Sequence, residues 1–534
     1  MIMQPALPIA ADIATVAETQ PGTPPGAIAM LPASRGRGTY GEILRSTILI
    51  GGSSILNVAI GIVRTKAMAV LLGPAGFGLM GMYSSLADLA RSVAEMGINS
   101  SGVRQIAESA GSGNADRIAR TVIVLRRLAV VLGALGALLL VLFARPLSAM
   151  TFGTDARADA VALLSVAVFL RLISDSQCAL IQGLRRISDL ARIAVFGSLF
   201  GTLASIPLVY YLREDGVVPA LVAVAAATAA TSWWYSRKVP IAACTVSAGE
   251  VKHEAMSLLQ LGLAFMGSGL LMMGAAYAVR LIVLREAGLG SAGFYQAAWT
   301  LGGLYVSFVL QAMGADFYPR LVGAIEDAGE ANRLVNEQAQ VSLLLAGPGV
   351  IATLTFAPLI VTLFYSHEFA AAVDVLRWVC LGMALRVVSW PMGYIIVAKN
   401  QKTLFFGAEL AWAVVNVGLS WCFVQTFALE GAGMAFFGSY VFHGLMVYLL
   451  SRHLTRFSWS ASNLKLGAAF LLSIGLVFCA FSWLPPLWAA VVGSVVLVMS
   501  SAHSIRALLG IVSREQLPPA VQKLLILLRF LHLA

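Results

Sequence analysis

Stretches of about 20 consecutive apolar residues, each long enough to carry a helix through a ~30 Å hydrocarbon core, follow one another along almost the whole chain. They fall at 45–72, 77–103, 122–144, 158–182, 190–212, 217–236, 255–284, 291–317, 338–366, 371–398, 404–427, 431–451, 463–483 and 487–509. Only 12% of the 534 residues are charged, against the roughly 25% usual in soluble globular domains. The expected fold is an all-α, polytopic membrane protein with about 14 transmembrane helices. Residues 1–38, rich in Pro, Ala and Gly and without a basic n-region, read as a disordered cytosolic tail. Residues 515–534 read as an interfacial amphipathic helix.

The formal charge of +10 points to membrane topology, not to nucleic acid. With the N-terminus placed in the cytosol, 25 of the 36 Lys and Arg fall in cytosolic loops and span ends, and four (Arg145, Arg157, Arg213, Arg285) fall on the other side. By the positive-inside rule both termini are then cytosolic. The five cysteines lie on or beside apolar spans without CxxC spacing, as small hydrophobes do.

The chain repeats itself. GFGLMGMY (76–83) returns as GLGSAGFY (288–295) at an offset of 212, FARPL (143–147) as FAPLI (356–360) at 213, and LRLIS (170–174) as LRVVS (385–389) at 215. Six spans per copy give both copies the same membrane orientation, so the repeats are parallel. The division expected is an N-lobe at 39–238 (spans 1–6), a C-lobe at 250–455 (spans 7–12) and two further spans at 460–510. GFGLMG also spells GxGxxG, but a dinucleotide fingerprint needs a preceding strand and a βαβ unit. Here both copies sit at a turn between membrane helices, where glycine permits close approach.

Seven bases remain inside the spans: Arg64, Lys66, Arg91, Arg171, Arg280, Arg377 and Arg386. Each costs roughly 2.5–3.5 kcal/mol at a helix centre, so each should face water or a partner. Asn57, Gly61 and Arg64 share one helical face, while Lys66 lies well round from it and is free to snorkel. Asp88, Arg91 and Glu95 at i, i+3, i+7 can neutralise one another, as a structural network or as part of a ligand site. Arg171 has Asp175 one turn on; its repeat mate Arg386 has Trp390 there instead, and so stands without a carboxylate, as does Arg280. Arg377 has Asp374 close by. The candidate substrate-binding residues are Asn57, Arg64, Arg91, Arg171, Arg280 and Arg386. The carboxylates Asp88, Glu95, Asp175, Asp316 and Glu409 are candidates for coupling to H⁺ or Na⁺. The six histidines are scattered, without HExxH, and no GxxxxGK[ST] loop occurs, so no metal, cofactor or ATP site is expected.

At this point a resemblance emerges. LRSTILIGGSSILNVAIGIVRTKAMAVLLGPAGFGLMGMYSSLADL (44–89), MGINSSGVRQIAES (96–109), GFYQAAWTLGGLYVSFVLQAMGADFYPRL (293–321) and GYIIVAKNQKT (393–403) are similar to Wzx-type O-antigen and polysaccharide flippases. The likeness covers about 40–510. It implies the multidrug/oligosaccharidyl-lipid/polysaccharide exporter superfamily, a V-shaped two-lobed fold, and alternating access. The implied cargo is an undecaprenyl-diphosphate-linked oligosaccharide, turned from the cytosolic to the periplasmic leaflet of a bacterial inner membrane. Arginine's planar fork suits its phosphates. Membrane lipids, polysaccharide polymerase and chain-length machinery are the partners this resemblance admits, and nucleic acid is not among them. Two other readings stay open: a cation-coupled multidrug exporter of the same fold, and a membrane glycosyltransferase, polymerase or ligase. The last needs a sizeable extracytoplasmic loop, which the sequence lacks.

Overall fold

The computed structural model describes residues 38–112, 114–241 and 247–511, with side chains from 56 onward except 264–265, 307–308, 311–316 and 511. The tail at 1–37, the segment 515–534, Cys244 and the side chain of Asp316 lie outside the described residues. Among those described there is no strand. The expected spans fall on helices, some of them across a break, and among the described residues nine helices are long and apolar enough by length and composition to cross a membrane. Many large apolar side chains face outward, as Leu135, Leu138 and Leu142 on one helix and Leu472 and Leu476 on another. Such surfaces suit acyl chains and would be unusual facing water.

Among the described residues two compact units are distinguishable: residues 38–72 with those between 79 and 273, and residues 73–78 with 274–511. In the first, α1 (Gly38–Glu95) is broken at Gly73, whose φ of 63° and ψ of −175° only glycine adopts freely; Pro74 then restarts the helix. After it come α2 (Ile98–Gly111), α3 (Ala115–Leu142), α4 (Ala144–Phe152), α5 (Ala158–Gly183), α6 (Ile187–Leu212) and α7 (Val217–Ser236). α5 packs against α2, α3 and α7. Small residues set the spacing: Gly183 lies against Ile106 and Gly102 against Leu125, around a core of Ile98, Val103, Ile106, Leu125 and Leu180.

The start of α8 (Ala248–Ala324) belongs to this unit as well. Ser101 Oγ donates to the Leu258 carbonyl at 2.8 Å, Gln105 to Ser257 at 3.1 Å and Thr121 Oγ1 to Glu254 at 2.6 Å. Arg120 meets Glu250 at 3.2 Å.

The second unit continues α8 beyond its own break at Gly288 (φ 88°, ψ 173°). Then come α9 (Ala328–Thr355), α10 (Ala357–Phe364), α11 (Ala372–Ala398), α12 (Lys402–Thr455), α13 (Ala461–Trp483) and α14 (Pro486–Ile511). α12 is broken at Ala428 (φ 50°) and packs along α11, while α13 and α14 cover α9.

Backbone geometry corrects the register of the repeat. The positive-φ residues Gly73, Arg185 and Arg213 recur at Gly288, Asn400 and Ala428, each 215 residues on. A Cβ on Gly78 would meet the Leu289 carbonyl, and one on Gly293 would meet the Pro74 carbonyl, the same contact 215 residues apart. The offset at the glycine motif is therefore 215, not 212, and it falls to 213 at the paired caps Asn114 and Asp327 before returning to 215. Matching glycine letters chose the wrong partner because the motif is glycine-dense; what the backbone requires is a residue able to take φ > 0 at the break. The first GxGxxG copy lies in helix and the second runs from the break at Gly288 into helix, so the nucleotide fold they would need is absent from these segments.

Candidate functional site

Within the first unit, charged side chains from the two halves of α1 and from α5 converge. Asp88, Arg91 and Glu95 lie along one face of α1 beyond Gly73, and Arg171 and Asp175 lie one turn apart on α5. Arg91 bonds Glu95 at 2.7 Å and reaches across to Asp175 at 2.9 Å. Arg171 takes Asp88 at 2.5 Å. Arg171 therefore pairs with the acid of the neighbouring helix, and Asp175, one turn from it, goes to Arg91. Crossed pairing satisfies both helices at once and locks α1 to α5.

Arg64, from the first half of α1, lies close enough to Arg171 to repel it. Among the described residues no carboxylate lies within salt-bridge reach of Arg64. Three arginines and three carboxylates make the cluster electroneutral when all are ionised, yet the carboxylates are engaged by Arg91 and Arg171. The guanidinium of Arg64 keeps its five donors without an acidic partner. Asn57, two turns before it, is half-buried, and among the described residues its side chain makes no hydrogen bond.

In the second unit Arg280 on α8 is only 4% exposed. Its Nε donates to Gln296 Oε1 at 2.8 Å and its Nη1 to the Ala276 carbonyl at 3.2 Å, while Gln296 is itself tied to Thr300. The Nε contact is thus made to a neutral amide of the same helix. Arg386 on α11 stands over Trp390 at 5.2 Å and Tyr440 at 6.0 Å, attractive cation–π distances. It also interacts electrostatically with Glu409 on α12. Trp390, the residue replacing a carboxylate at the next turn, is thus a partner of a different kind, and Glu409 on α12 lies near enough to attract the guanidinium without an ion-pair contact. His443 and Trp412 close around Tyr440, with ring centroids 5.5 and 5.7 Å from it. Neither was singled out by the sequence; helical spacing alone puts Glu409 and Trp412 on one face, and their packing partner lies in a later segment. Arg377 is held by Asp374 at 3.0 Å and stacks on Phe481 at 4.1 Å.

Cys178, Cys380, Cys422 and Cys479 are free thiols. Among the described residues no group of three or more His, Cys, Asp or Glu is placed to hold a metal ion. The chemistry the two clusters offer is that of binding. Forked cations and aromatic faces present themselves inside apolar helices, where an anion or a polar headgroup would find a lowered desolvation cost.

Comparison with known proteins gives a consistent picture. The Lipid III flippase of Escherichia coli (strain K12) is 23% identical over 416 residues, covering 75% of this chain and 96% of that protein. Among solved structures, an inward-facing multidrug resistance MATE family transporter of the MOP superfamily matches with a TM-score of 0.63 at 17% identity, over 76% of this chain and 94% of its own. The lipid II flippase MurJ, in an inward closed conformation, matches with a TM-score of 0.61 at 13% identity, over 86% of this chain and 99% of its own. At these identities the structures speak for the fold. The family model for polysaccharide biosynthesis proteins matches residues 67–374, more than half of the chain and the part that carries Asp88, Arg91, Glu95, Arg171, Asp175 and Arg280. On that match this multi-pass membrane protein belongs to the polysaccharide biosynthesis protein family.

Proposed function

We propose that the protein is a flippase for a lipid-linked saccharide, an undecaprenyl-diphosphate-linked oligosaccharide turned from the cytosolic to the periplasmic leaflet by alternating access. The likeness to the Lipid III flippase and the family match support the cargo class. The observation that carries the chemistry is Arg64: a guanidinium within an apolar helix, beside Arg171, with no carboxylate in reach among the described residues. A diphosphate supplies the acceptor oxygens such a group lacks, and a forked arginine–phosphate contact is strong where water is scarce. Arg386, with its aromatic neighbours, offers a second contact. Arg91 and Arg171 become available as their carboxylates are neutralised, and Asn57 lies on the Arg64 face. Arg280 contacts cargo only if its buried fork is released from Gln296.

The same geometry suggests how an ion enters the cycle. A proton or Na⁺ bound at Asp88, Glu95 or Asp175 frees an arginine donor for phosphate, so ion and cargo bind with positive, reciprocal linkage. Glu409 holds the corresponding place beside Arg386, and Asp316 remains a candidate from the sequence alone. The setting that fits this activity is a bacterial inner membrane with both termini cytosolic. There the protein would act in O-antigen or related lipopolysaccharide assembly, with polysaccharide polymerase and chain-length machinery as partners.

The test is reconstitution into liposomes with a fluorescent polyprenyl-diphosphate sugar, following leaflet exchange by quenching from outside. Arg64→Ala and Arg386→Ala should each slow exchange at least about tenfold while the protein still reconstitutes. Transport unchanged in both variants removes the site assignment. Movement of organic cations without any glycolipid would support a drug exporter of the same fold instead.

A further inference from the structure

A second polar site lies in the second unit, at the end that carries Lys399, Lys402, Arg452, Arg456 and Lys465. By the positive-inside rule this is the cytosolic end. There the start of α9 meets the segment 456–460 and the start of α13, forming an open cleft of about 390 Å³, within the ~300–1,000 Å³ range of small-ligand sites.

One wall is a rigid amide ladder. Asn332 donates to the Thr455 carbonyl at 2.9 Å and accepts from Thr455 Oγ1 at 2.8 Å. Asn336 donates to the carbonyls of Asn332 at 2.8 Å and Ser458 at 3.1 Å, and accepts from the Ser460 amide at 2.8 Å. Asn463, 4% exposed, donates from its amide nitrogen to Asn336 O at 2.6 Å and to Asn336 Oδ1 at 3.0 Å. Both of those partners are oxygens, so the amide cannot be turned over without setting oxygen against oxygen. That fixes Asn463 Oδ1 as a buried acceptor in the cleft wall, and it receives no hydrogen bond from any described residue. A buried acceptor so placed calls for a donor.

The charges of the cleft decide what kind of donor. Arg333, the one base in the lining, is held on both sides, by Glu330 at 2.5 Å and by Glu337 at 2.6 Å, so its guanidinium is already engaged. A phosphate brings acceptors where a donor is needed and would have to displace the carboxylates from Arg333; the cleft disfavours it. Gln340 lines the cleft, and its amide makes no hydrogen bond among the described residues. Ser458 and Ser460 add hydroxyls. An acceptor, a free amide and hydroxyls, on a lining without a large apolar side chain and with its one base engaged, match a neutral, hydroxyl-rich ligand.

We propose that this cleft is a saccharide-recognition site, holding neutral sugar residues of the cargo at the cytosolic end before translocation. The identity of the cargo rests on the flippase reading, but binding of free sugar does not. The experiment is saturation-transfer NMR on the full chain in detergent micelles, with free galactose, N-acetylglucosamine, glucuronate and inorganic phosphate as probes. Ser458→Trp, which fills the cleft from an exposed position, and Gln340→Leu, which leaves the ladder intact, are the variants; Asn463→Leu is the third. Transfer to a neutral sugar in the native protein, reduced at least tenfold in Ser458→Trp and Gln340→Leu at an unchanged thermal midpoint, is the expected result. Absence of transfer, transfer undiminished in those variants, or preference for glucuronate or phosphate overturns the proposal and leaves the ladder as a cap for α13. Transport of the fluorescent glycolipid without sugar binding would remove this inference alone, and sugar binding without transport would remove the flippase reading alone.

Discussion

Asp88→Asn tests the charged cluster where its pairing is least expected. Asparagine keeps the shape of the side chain and removes the charge that faces Arg171 at 2.5 Å. Taking one partner from a fully buried ion pair costs about 3–5 kcal/mol because the other charge is stranded, whereas an exposed pair contributes about 0–1 kcal/mol. Arg171 and Asp88 are 27% and 23% exposed, so a loss of about 2 kcal/mol is expected, roughly a 30-fold shift in the folding equilibrium. Without Asp88, Arg171 is left with the repulsion of Arg64. Adding Arg64→Gln should therefore return about half of the lost stability, and combining Asp88→Asn with Arg171→Gln should cost clearly less than the two single changes together. The assay is reversible unfolding in mixed detergent micelles, followed by circular dichroism. Strict additivity in both combinations would refute the crossed pairing and the Arg64–Arg171 repulsion.

Gly78→Ala and Gly293→Ala each place a methyl group against backbone carbonyl, which cannot move aside as a side chain can; a loss of about 1–3 kcal/mol is expected in thermal-shift measurements. Gly290→Ala, where a Cβ meets nothing within 4 Å, should be neutral or stabilising. Gln296→Leu removes the acceptor of Arg280 Nε and should destabilise by about 1.5–3 kcal/mol, read in the same micelle titration, with Gln296→Glu losing less. Glu409→Gln should abolish acceleration of glycolipid exchange by an imposed H⁺ or Na⁺ gradient while leaving gradient-free exchange measurable; an undiminished gradient effect would exclude Glu409 from coupling.

The helical membrane architecture and its duplication were determined by local sequence, for a physical reason. An apolar run of ~20 residues has no means other than a helix of satisfying its backbone in lipid, and the polar breaks between runs place the turns. The caps repeat the same point: Asn114 and Asp327 each start a helix with their own side chains. Residue type likewise marked which charges needed a partner, since a base in an apolar run carries a desolvation cost wherever it ends up.

Which partner each base receives was decided only by tertiary structure. Arg171 and Asp175 lie one turn apart, a spacing that permits a pair, yet Arg171 took Asp88 at 2.5 Å and Asp175 took Arg91 at 2.9 Å, because α1 brings both within reach. Arg280 found a glutamine 16 residues on, and Arg386 found two aromatic rings and a carboxylate from α12. The register of the repeat was hidden in the same way, since a dense run of glycines aligns with itself at several offsets, while the positive-φ break at Gly73 and Gly288 admits one. The amide ladder joins Asn332, Asn336 and Asn463 across more than 120 positions of chain. Pairing is set by distance in the packed molecule, and sequence fixes distance only within a few turns of one helix.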